Sequence, residues 1–413
     1  MVIMDEQLLK EINPVFLTAR SSVYRYASFG NETAKQIVAF LEKDRPKERF
    51  MQVPERITDP VRKIFVSILE ARYGTMEQIL DDEAPALLLD IPCGYTMRPI
   101  EYARRGIRYV GADLPATIAD MGEAVDALLS EDEKRFVTMT SADATNPDSV
   151  KAALKGISGP VCITTEGLLS YFTDSETEAM FETVRSVLSE RGGCWITPDR
   201  EIGDYIRITA GIVANGDKET MERFIQQRKE ISRLSKSNVN TNTFMTLPLE
   251  ESIKWAEQRG FKVERLNMGK YLPDLTSLSD LREGLMDELR EACMELCVWR
   301  LTLTDREKKK SRSSEFSINA HNAAGVLTVS ISGRLDTLTA PRLVTVFEEE
   351  SAKREVQRVC IDLADLDYIS SAGLRSLLII RKRLGSKERL SVINISQSVM
   401  EIFETTGFAE LLL

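Results

Sequence analysis

Between residues 86 and 305, short apolar runs alternate with longer segments whose apolar positions recur every three or four residues. The runs are ALLLDI (86–91), IRYVGAD (107–113), RFVTMTSAD (135–143), PVCITTEG (160–167), GCWITPD (193–199), FKVERL (261–266) and LCVWRLTL (296–303). Runs of this length rich in Val, Ile, Leu and aromatic residues predict buried strands. The intervening SETEAMFETVRSVLSERG has helical spacing and stops at Gly192. Strand and helix in alternation predict an α/β fold, a doubly wound and mainly parallel seven-stranded Rossmann-like sheet covered by helices on both faces. Such sheets take ligands at the carboxyl ends of their strands, so chemistry is sought there.

The pattern changes after residue 313. EFSINAHNAAGVLTVSISGRLD alternates as two strands joined by a turn at Ala324 and Gly325. A helix from Ala340 to Lys353 follows, then a buried strand RVCIDLADLDYI, a helix from Ser371 to Leu384, a strand LSVINI and a short helix before Gly407. A second, small α/β domain is expected, with a mixed sheet backed by helices on one face. The charged, Ser-rich TDREKKKSRSSE (304–315) separates the two patterns, which gives a large domain over 1–304, a linker over 305–312 and a small domain over 313–413. Within the large domain, residues 200–249 carry the helical TMERFIQQRKEISRL and are expected to be an insertion roofing a pocket.

Composition narrows the chemistry. The chain of 413 residues has one histidine, His321, placed on the opening strand of the small domain. The large domain therefore has no imidazole for a Ser-His-Asp, Cys-His or HExxH device. Six cysteines without a paired CxxC cluster argue against a disulfide scaffold and against zinc; Cys293 and Cys297 stand four apart with no further ligand, so no metal is expected. A net charge of -10 argues against nucleic acid and anionic bilayers, which need basic surface. No stretch approaches the roughly 18 apolar residues of a membrane span, and a soluble, cytoplasmic protein is expected. Small molecules and proteins remain as partners.

The strand ends then supply candidates. The first closes on Asp90 and turns through Pro92, Cys93 and Gly94, where a missing side chain lets a ligand approach the backbone. The second ends at Asp113, about 20 residues on, where a carboxylate can accept from both ribose hydroxyls of an adenosine ligand. The third ends at Asp143 and the fourth at Glu166. Clustered carboxylates repel one another, and the sequence suggests that a ligand with several donors and a positive charge relieves that repulsion.

Those segments carry a resemblance. From Phe16 to Thr304 the chain resembles class I S-adenosylmethionine methyltransferases, and specifically the leucine carboxyl methyltransferase family, in LLLDIPCGYTMR, VGADLPATI, SADAT and TTEGLLSYF taken in order, with VFLTARSSVYRYAS near the start. The resemblance implies that Gly94 approaches the methionine part, Asp113 binds ribose, Asp143 and Ala144 meet adenine, and Glu166 takes the ammonium. It places Arg20 and Arg98 at the cofactor carboxylate, with Asp90, Cys93 and Leu114 in the same binding turns. The chain departs from the family at Pro92, where glycine is usual and where proline removes a backbone donor.

The implied activity suits a domain without histidine. Methyl transfer from a sulfonium depends mainly on positioning. A carboxylate acceptor, with a reference pKa near 4, needs no base at pH 7. The expected function is therefore S-adenosylmethionine-dependent O-methyl transfer to a small-molecule or protein carboxylate, leaving S-adenosylhomocysteine, with Arg200, Tyr171 and Tyr24 as acceptor contacts.

From Ser313 to Leu413 the chain resembles STAS domains, the anti-sigma factor antagonist family, in ISGRLDTLTAPRL and LDYISSAGLRSLL. The resemblance implies a partner, an anti-sigma factor or kinase-like regulatory protein, and phosphorylation at Ser371. Ser370 stands where the family frequently has Asp. A serine at a helix start also serves as a cap. The alternative to an enzyme is a cofactor-binding sensor without turnover, acting as an antagonist by partner switching.

Overall fold

The computed structural model describes residues 14–43, 58–234, 242–304, 316–386 and 389–409. The chain divides into two compact units, Met1–Thr304 and Asp305–Leu413. The expected linker, 305–312, lies outside the described residues.

The large unit opens with helices α1 (Pro14–Ser28), α2 (Glu32–Glu42) and α3 (Pro60–Glu83). Then come β1 (Leu87–Asp90), α4 (Arg98–Arg104), β2 (Arg108–Asp113), α5 (Pro115–Leu128), β3 (Val137–Ser141), α6 (Pro147–Ala153), β4 (Val161–Thr164), α7 (Asp174–Arg191) and β5 (Gly193–Thr197). After them follow α8 (Ile202–Ala214), α9 (Lys218–Leu234), α10 (Leu249–Gln258), β6 (Phe261–Asn267), α11 (Leu285–Ala292) and β7 (Cys297–Leu303). All seven runs read from the sequence are strands. They form one sheet in the order β3-β2-β1-β4-β5-β7-β6. The first five pair in parallel, and β7 alone runs antiparallel between β5 and β6. This is the doubly wound Rossmann-like sheet of methyltransferase type, and its order reverses on either side of β1 and β4.

The apolar runs are continuous because both sheet faces are covered. Leu87 and Leu89 of β1 join Val110, Ile163, Trp195 and Trp299 beneath Phe181 of α7. Leu88 between them faces the other way, with Tyr109, Cys162 and Cys194 against Met76, Ile79 and Leu80 of α3. Helix α3 begins with Asp59 accepting from the Arg62 N–H and Pro60 in its first turn. The segment 200–249 forms α8 and α9, whose Tyr205, Ala210 and Phe224 pack on Ile64 and Ile68 of α3 and Leu285 and Leu289 of α11.

The small unit has β8 (Ser317–Ala323), β9 (Val326–Leu335), α12 (Ala340–Lys353), β10 (Arg358–Ile369), α13 (Ser371–Leu384), β11 (Leu390–Ile393) and α14 (Gln397–Thr405). Its sheet order is β11-β10-β9-β8, mixed as expected, with β8 antiparallel and the other pairs parallel. Ala324 and Gly325, both at positive φ, make the β8–β9 turn. Alternate residues of β9 and β10 are buried, among them Leu327, Val329, Ile331, Val359, Ile361 and Leu363, in one core with Leu343, Leu374, Leu377 and Phe403 of the helices. His321 sits exposed on β8.

Candidate functional site

Beyond β1 the chain turns through Pro92, Cys93 and Gly94. The Cys93 N–H donates to Ala112 O at 2.9 Å, which ties the turn to β2. Gly94 adopts φ +53°, a left-handed conformation that favours glycine, and a Cβ there would have no atom within 4 Å. The turn is thus bare on its outer side. Asp113 at the tip of β2 holds it: one carboxylate oxygen accepts from the Gly94 N–H at 2.7 Å and the other from the Leu114 N–H at 2.6 Å. Asp113 is buried, whereas Leu114 beside it is 52% exposed. Cys93 is buried, and burial pushes its thiol well up, which suits packing and not nucleophilic attack. Thr96, also in this turn, has a buried hydroxyl without a hydrogen-bond partner.

Arg98, the first residue of α4, is the electrostatic centre. It is fully buried and its guanidinium meets three carboxylates: Glu77 at 2.6 Å, Glu166 at 2.5 Å and Asp90 at 3.3 Å. Its face lies on the Tyr73 ring, 5.1 Å from the centroid. Arg98 Nη2 and Glu166 Oε1 touch without hydrogen-bond alignment, so both keep an unsatisfied valence. Arg72 of α3 reaches the other oxygen of Glu166 at 3.2 Å. Asp90 also accepts from Thr164 at 2.9 Å and Tyr109 at 3.0 Å. Burial nevertheless pushes Asp90 up to about 6, against the pull of Arg98. Burial opposes the charge on Arg98, yet Glu166, Asp90 and Glu77 together raise its pKa well above the usual value.

This corrects the expectation that a ligand must relieve repulsion among strand-end acids. Arg98 and Arg72 neutralise Asp90 and Glu166 from within, and backbone N–H groups hold Asp113. Asp143, at the end of β3, is exposed and accepts from both the N–H and the hydroxyl of Thr145. Ala144 packs at the edge of the core.

The remaining candidates lie further out. Arg20 pairs with Asp120 at 3.6 Å, and Tyr95 donates to the same carboxylate at 2.6 Å. Tyr24 is buried in the core of α1, α2 and α5. Tyr171 is half-buried in a short 3₁₀ turn after β4. Arg200 spans back to Ser252, at 3.0 Å, and to the Leu247 carbonyl, fastening the end of β5 to the start of α10. Two residues were missed. Asp199 accepts from three successive N–H groups, those of Gly167, Leu168 and Leu169 at 2.6, 2.8 and 2.9 Å, and so shapes the loop that carries Glu166. It ends the fifth strand run, so the strand-end reading applied to it equally. Arg72 gave no such signal, because it lies on a helix before the sheet begins.

In the small unit, Ser370 is the N-cap of α13. Its hydroxyl accepts from the Gly373 N–H at 3.3 Å and its own N–H donates to Leu335 O at 3.0 Å. Gly373 is required by close approach, since a Cβ would lie 2.4 Å from Leu335 O. Ser371 is exposed as the first helical residue, and Arg375 is exposed one turn on. Leu338, 86% exposed, lies in the β9–α12 connection.

Among the described residues no helix is long and apolar enough to cross a membrane. Three solved structures are similar to parts of this chain. The methyltransferase domain of bacterial CtHen1 is 11% identical with a TM-score of 0.33, covering 57% of this chain and 100% of that one. A SAM-dependent methyltransferase of Anabaena variabilis is 10% identical with a TM-score of 0.32, covering 50% and 83%. PKMT2 from Rickettsia typhi, solved with AdoHcy, is 10% identical with a TM-score of 0.27, covering 80% and 70%. Likeness at this level bears on neither activity nor ligand, and the fold rests on the sheet order itself. The small unit stands differently: the STAS domain family model matches residues 317–412. BtrV of Bordetella bronchiseptica, which carries the name of an anti-sigma factor antagonist, is 36% identical over 85 residues, 20% of this chain and 72% of that protein. Through its C-terminal unit, the chain belongs to the STAS-domain family.

Proposed function

We propose that the large unit binds S-adenosylmethionine and methylates an oxygen of an organic acid, and that the STAS domain docks a regulatory protein under the control of Ser371. The observation that carries the first part is the bare Gly94 turn beside Asp113, on the same strand-end edge as the Arg72–Glu166 pair.

The residues fit the group. Each oxygen of Asp113 accepts one backbone N–H and the Thr117 hydroxyl adds a third donor, which leaves the carboxylate capacity for a ribose hydroxyl. Exposed Leu114 offers an apolar plate for the adenine. The amino-acid end of the ligand is a zwitterion, and Arg72, Arg98 and Glu166 form a matching pair of charges: arginine for its carboxylate, Glu166 for its ammonium. The unsatisfied Arg98 Nη2 and Glu166 Oε1 are the atoms left to be completed. Bound there, the cofactor supplies an electrophilic methyl group. No imidazole is present in the large unit, and an ionised acid acceptor requires none.

The STAS part rests on family membership and on an exposed Ser371 whose neighbour Ser370 already serves as the cap. A phosphate adds roughly -1.5 to -2 charge at such a point. A partner packed over the start of α13 is then repelled unless it offers an arginine.

Calorimetry with S-adenosylhomocysteine tests the site. Asp113→Ala should weaken binding roughly 10- to 100-fold, since a hydrogen bond to a charged group contributes about 1.5–3 kcal/mol. Unchanged affinity in the variant overturns the assignment. Incubation with labelled S-adenosylmethionine and a panel of acids then separates an enzyme from a sensor without turnover.

A further inference from the structure

All six cysteines are free thiols, and two of them meet. Cys162 is the second residue of β4 and Cys194 the second of β5, and the parallel register sets them directly opposite each other. Their Sγ atoms are 3.7 Å apart, and both side chains are buried with Leu88 and Tyr109 against Met76, Ile79 and Leu80 of α3. The register is pinned beside them. A Cβ on Gly193 would lie 1.9 Å from Val161 O, and the Val161 N–H donates to Gly192 O at 3.3 Å. A slip of one residue would press a side chain into that backbone, so the two thiols stay paired.

Neighbouring strands lie about 4.8 Å apart, within the roughly 4.4–6.8 Å between Cα atoms that a disulfide accepts. Burial alone makes a cysteine inert, but these two have each other and lie close to the surface. Cys194 Sγ is also 3.5 Å from Glu83 Oε1. Glu83 is paired with Arg300 at 2.7 and 2.9 Å, and their side chains are 27% and 26% exposed, so one ion pair separates the thiols from solvent. The hydrogen bond from Arg300 holds Glu83 below the usual carboxylate range, which keeps it ionised beside the Cys194 thiol. The contact with Cys194, together with burial, pushes the Cys162 thiol well up, so Cys162 stays protonated. If Cys194 gives up its proton, Glu83 keeps both Arg300 bonds and no buried acceptor is stranded.

We infer that Cys162 and Cys194 form a site of reversible oxidation, which closes to a disulfide with a small peroxide as the oxidant. The Cys194 sulfur attacks one peroxide oxygen and the O–O bond breaks, which leaves a sulfenic acid on Cys194 and, with hydrogen peroxide, one water. The Cys162 sulfur then displaces that hydroxyl: the S–S bond forms, the S–O bond breaks, and the Cys162 proton leaves with the hydroxyl as a second water. Two thiols thus lose two electrons and two protons, and one hydrogen peroxide is reduced to two waters. A small dithiol returns the pair to thiols by exchange and is itself oxidised to a disulfide. The cysteines lie in the amino halves of β4 and β5, whose carboxyl ends lead to Glu166 and Asp199. The oxidation site is therefore separate from the candidate cofactor site, and the inference does not rest on the methyltransferase reading.

The test uses the full, reduced chain and hydrogen peroxide in small molar excess, followed by alkylation in denaturant and peptide mapping by mass spectrometry. Free thiols should fall by two from the six of the chain, one linked peptide should join Cys162 to Cys194, and dithiothreitol should restore all six. Cys162→Ala and Cys194→Ala should each abolish the linked peptide, whereas Cys360→Ala, in the small unit, should leave it unchanged. Retention of all six thiols overturns the proposal. So does a bond between other cysteines in place of this one, or conversion of Cys194 to a sulfinic acid with no bond formed. The same treatment in guanidinium tests the geometry: the linked peptide should form at least about tenfold more slowly in the unfolded chain, and equal rates overturn the proposal. Mapping reads the unmodified protein, so the result stands even where an alanine variant folds poorly.

Discussion

Replacing Arg98 by methionine removes the one cation shared by Asp90, Glu77 and Glu166 while nearly conserving volume. Breaking a buried ion pair by deleting one partner costs about 3–5 kcal/mol. Three pairs are broken here, but the losses do not add. Glu166 keeps Arg72 at 3.2 Å, and Asp90 keeps Thr164 at 2.9 Å and Tyr109 at 3.0 Å. Glu77 loses its 2.6 Å contact. An overall deficit of about 3–5 kcal/mol at pH 7.5 is therefore expected, a large share of the roughly 5–15 kcal/mol of a typical domain. The deficit should depend on pH. Asp90 stands at about 6 even with Arg98 pulling it down, so without Arg98 it rises further, while in the unfolded chain an aspartate titrates near 4. A carboxyl raised in the folded state contributes stability fully below its unfolded value and loses it as pH rises through the folded one. The variant should lie closest to the unmodified protein near pH 5 and fall furthest behind above pH 7. Adding Asp90→Asn should recover part of the loss at pH 7.5 and little at pH 5. Guanidinium unfolding followed by tryptophan fluorescence measures this cleanly, because Trp195, Trp255 and Trp299 all lie in the large unit and the STAS domain is silent. A deficit under about 1 kcal/mol, or one equal at pH 5 and pH 8, refutes the account of Arg98 as a charge hub.

Gly94→Ala places a methyl on the bare side of the turn at φ +53°, with a backbone cost of about 1 kcal/mol; S-adenosylhomocysteine binding should fall well beyond that loss, and equal losses in stability and binding would mean that the turn is not a cradle. Ser370→Ala deletes the cap of α13 and should cost the STAS domain about 1 kcal/mol, whereas Ser371→Ala should stay within about 0.5 kcal/mol. Recovery of partners from the native host should then differ between Ser371→Asp and Ser371→Ala; the same partners in equal amount from both would remove Ser371 from any switch.

The sheet was legible because its signal is local: each strand is a run of four to seven residues whose neighbours in sequence decide its burial. Helices α12 and α13 were legible to the residue for a similar reason, since Pro341 and Ser370 mark their starts and Gly385 closes the second. The charge balance of the site was not local and was misread. Asp90, Asp113 and Glu166 declare themselves as acids at strand ends, but the cation that meets Glu166 from the side of α3 is Arg72, more than ninety positions earlier. On that helix Arg72, Tyr73 and Glu77 occupy positions that pattern alone assigns to solvent, because periodicity tells apolar from polar and cannot tell a buried ion pair from an exposed one. Arg98 is the sharpest case. The sequence set it beside a ligand carboxylate, and gave no sign that three carboxylates of its own chain already meet its buried guanidinium. Strand-end acids in a doubly wound sheet therefore locate a site without implying a cationic ligand, since a single buried arginine can absorb them. A ligand is signalled by the converse pattern, charge left unanswered, as at Glu166 Oε1 and Arg98 Nη2, which touch out of alignment.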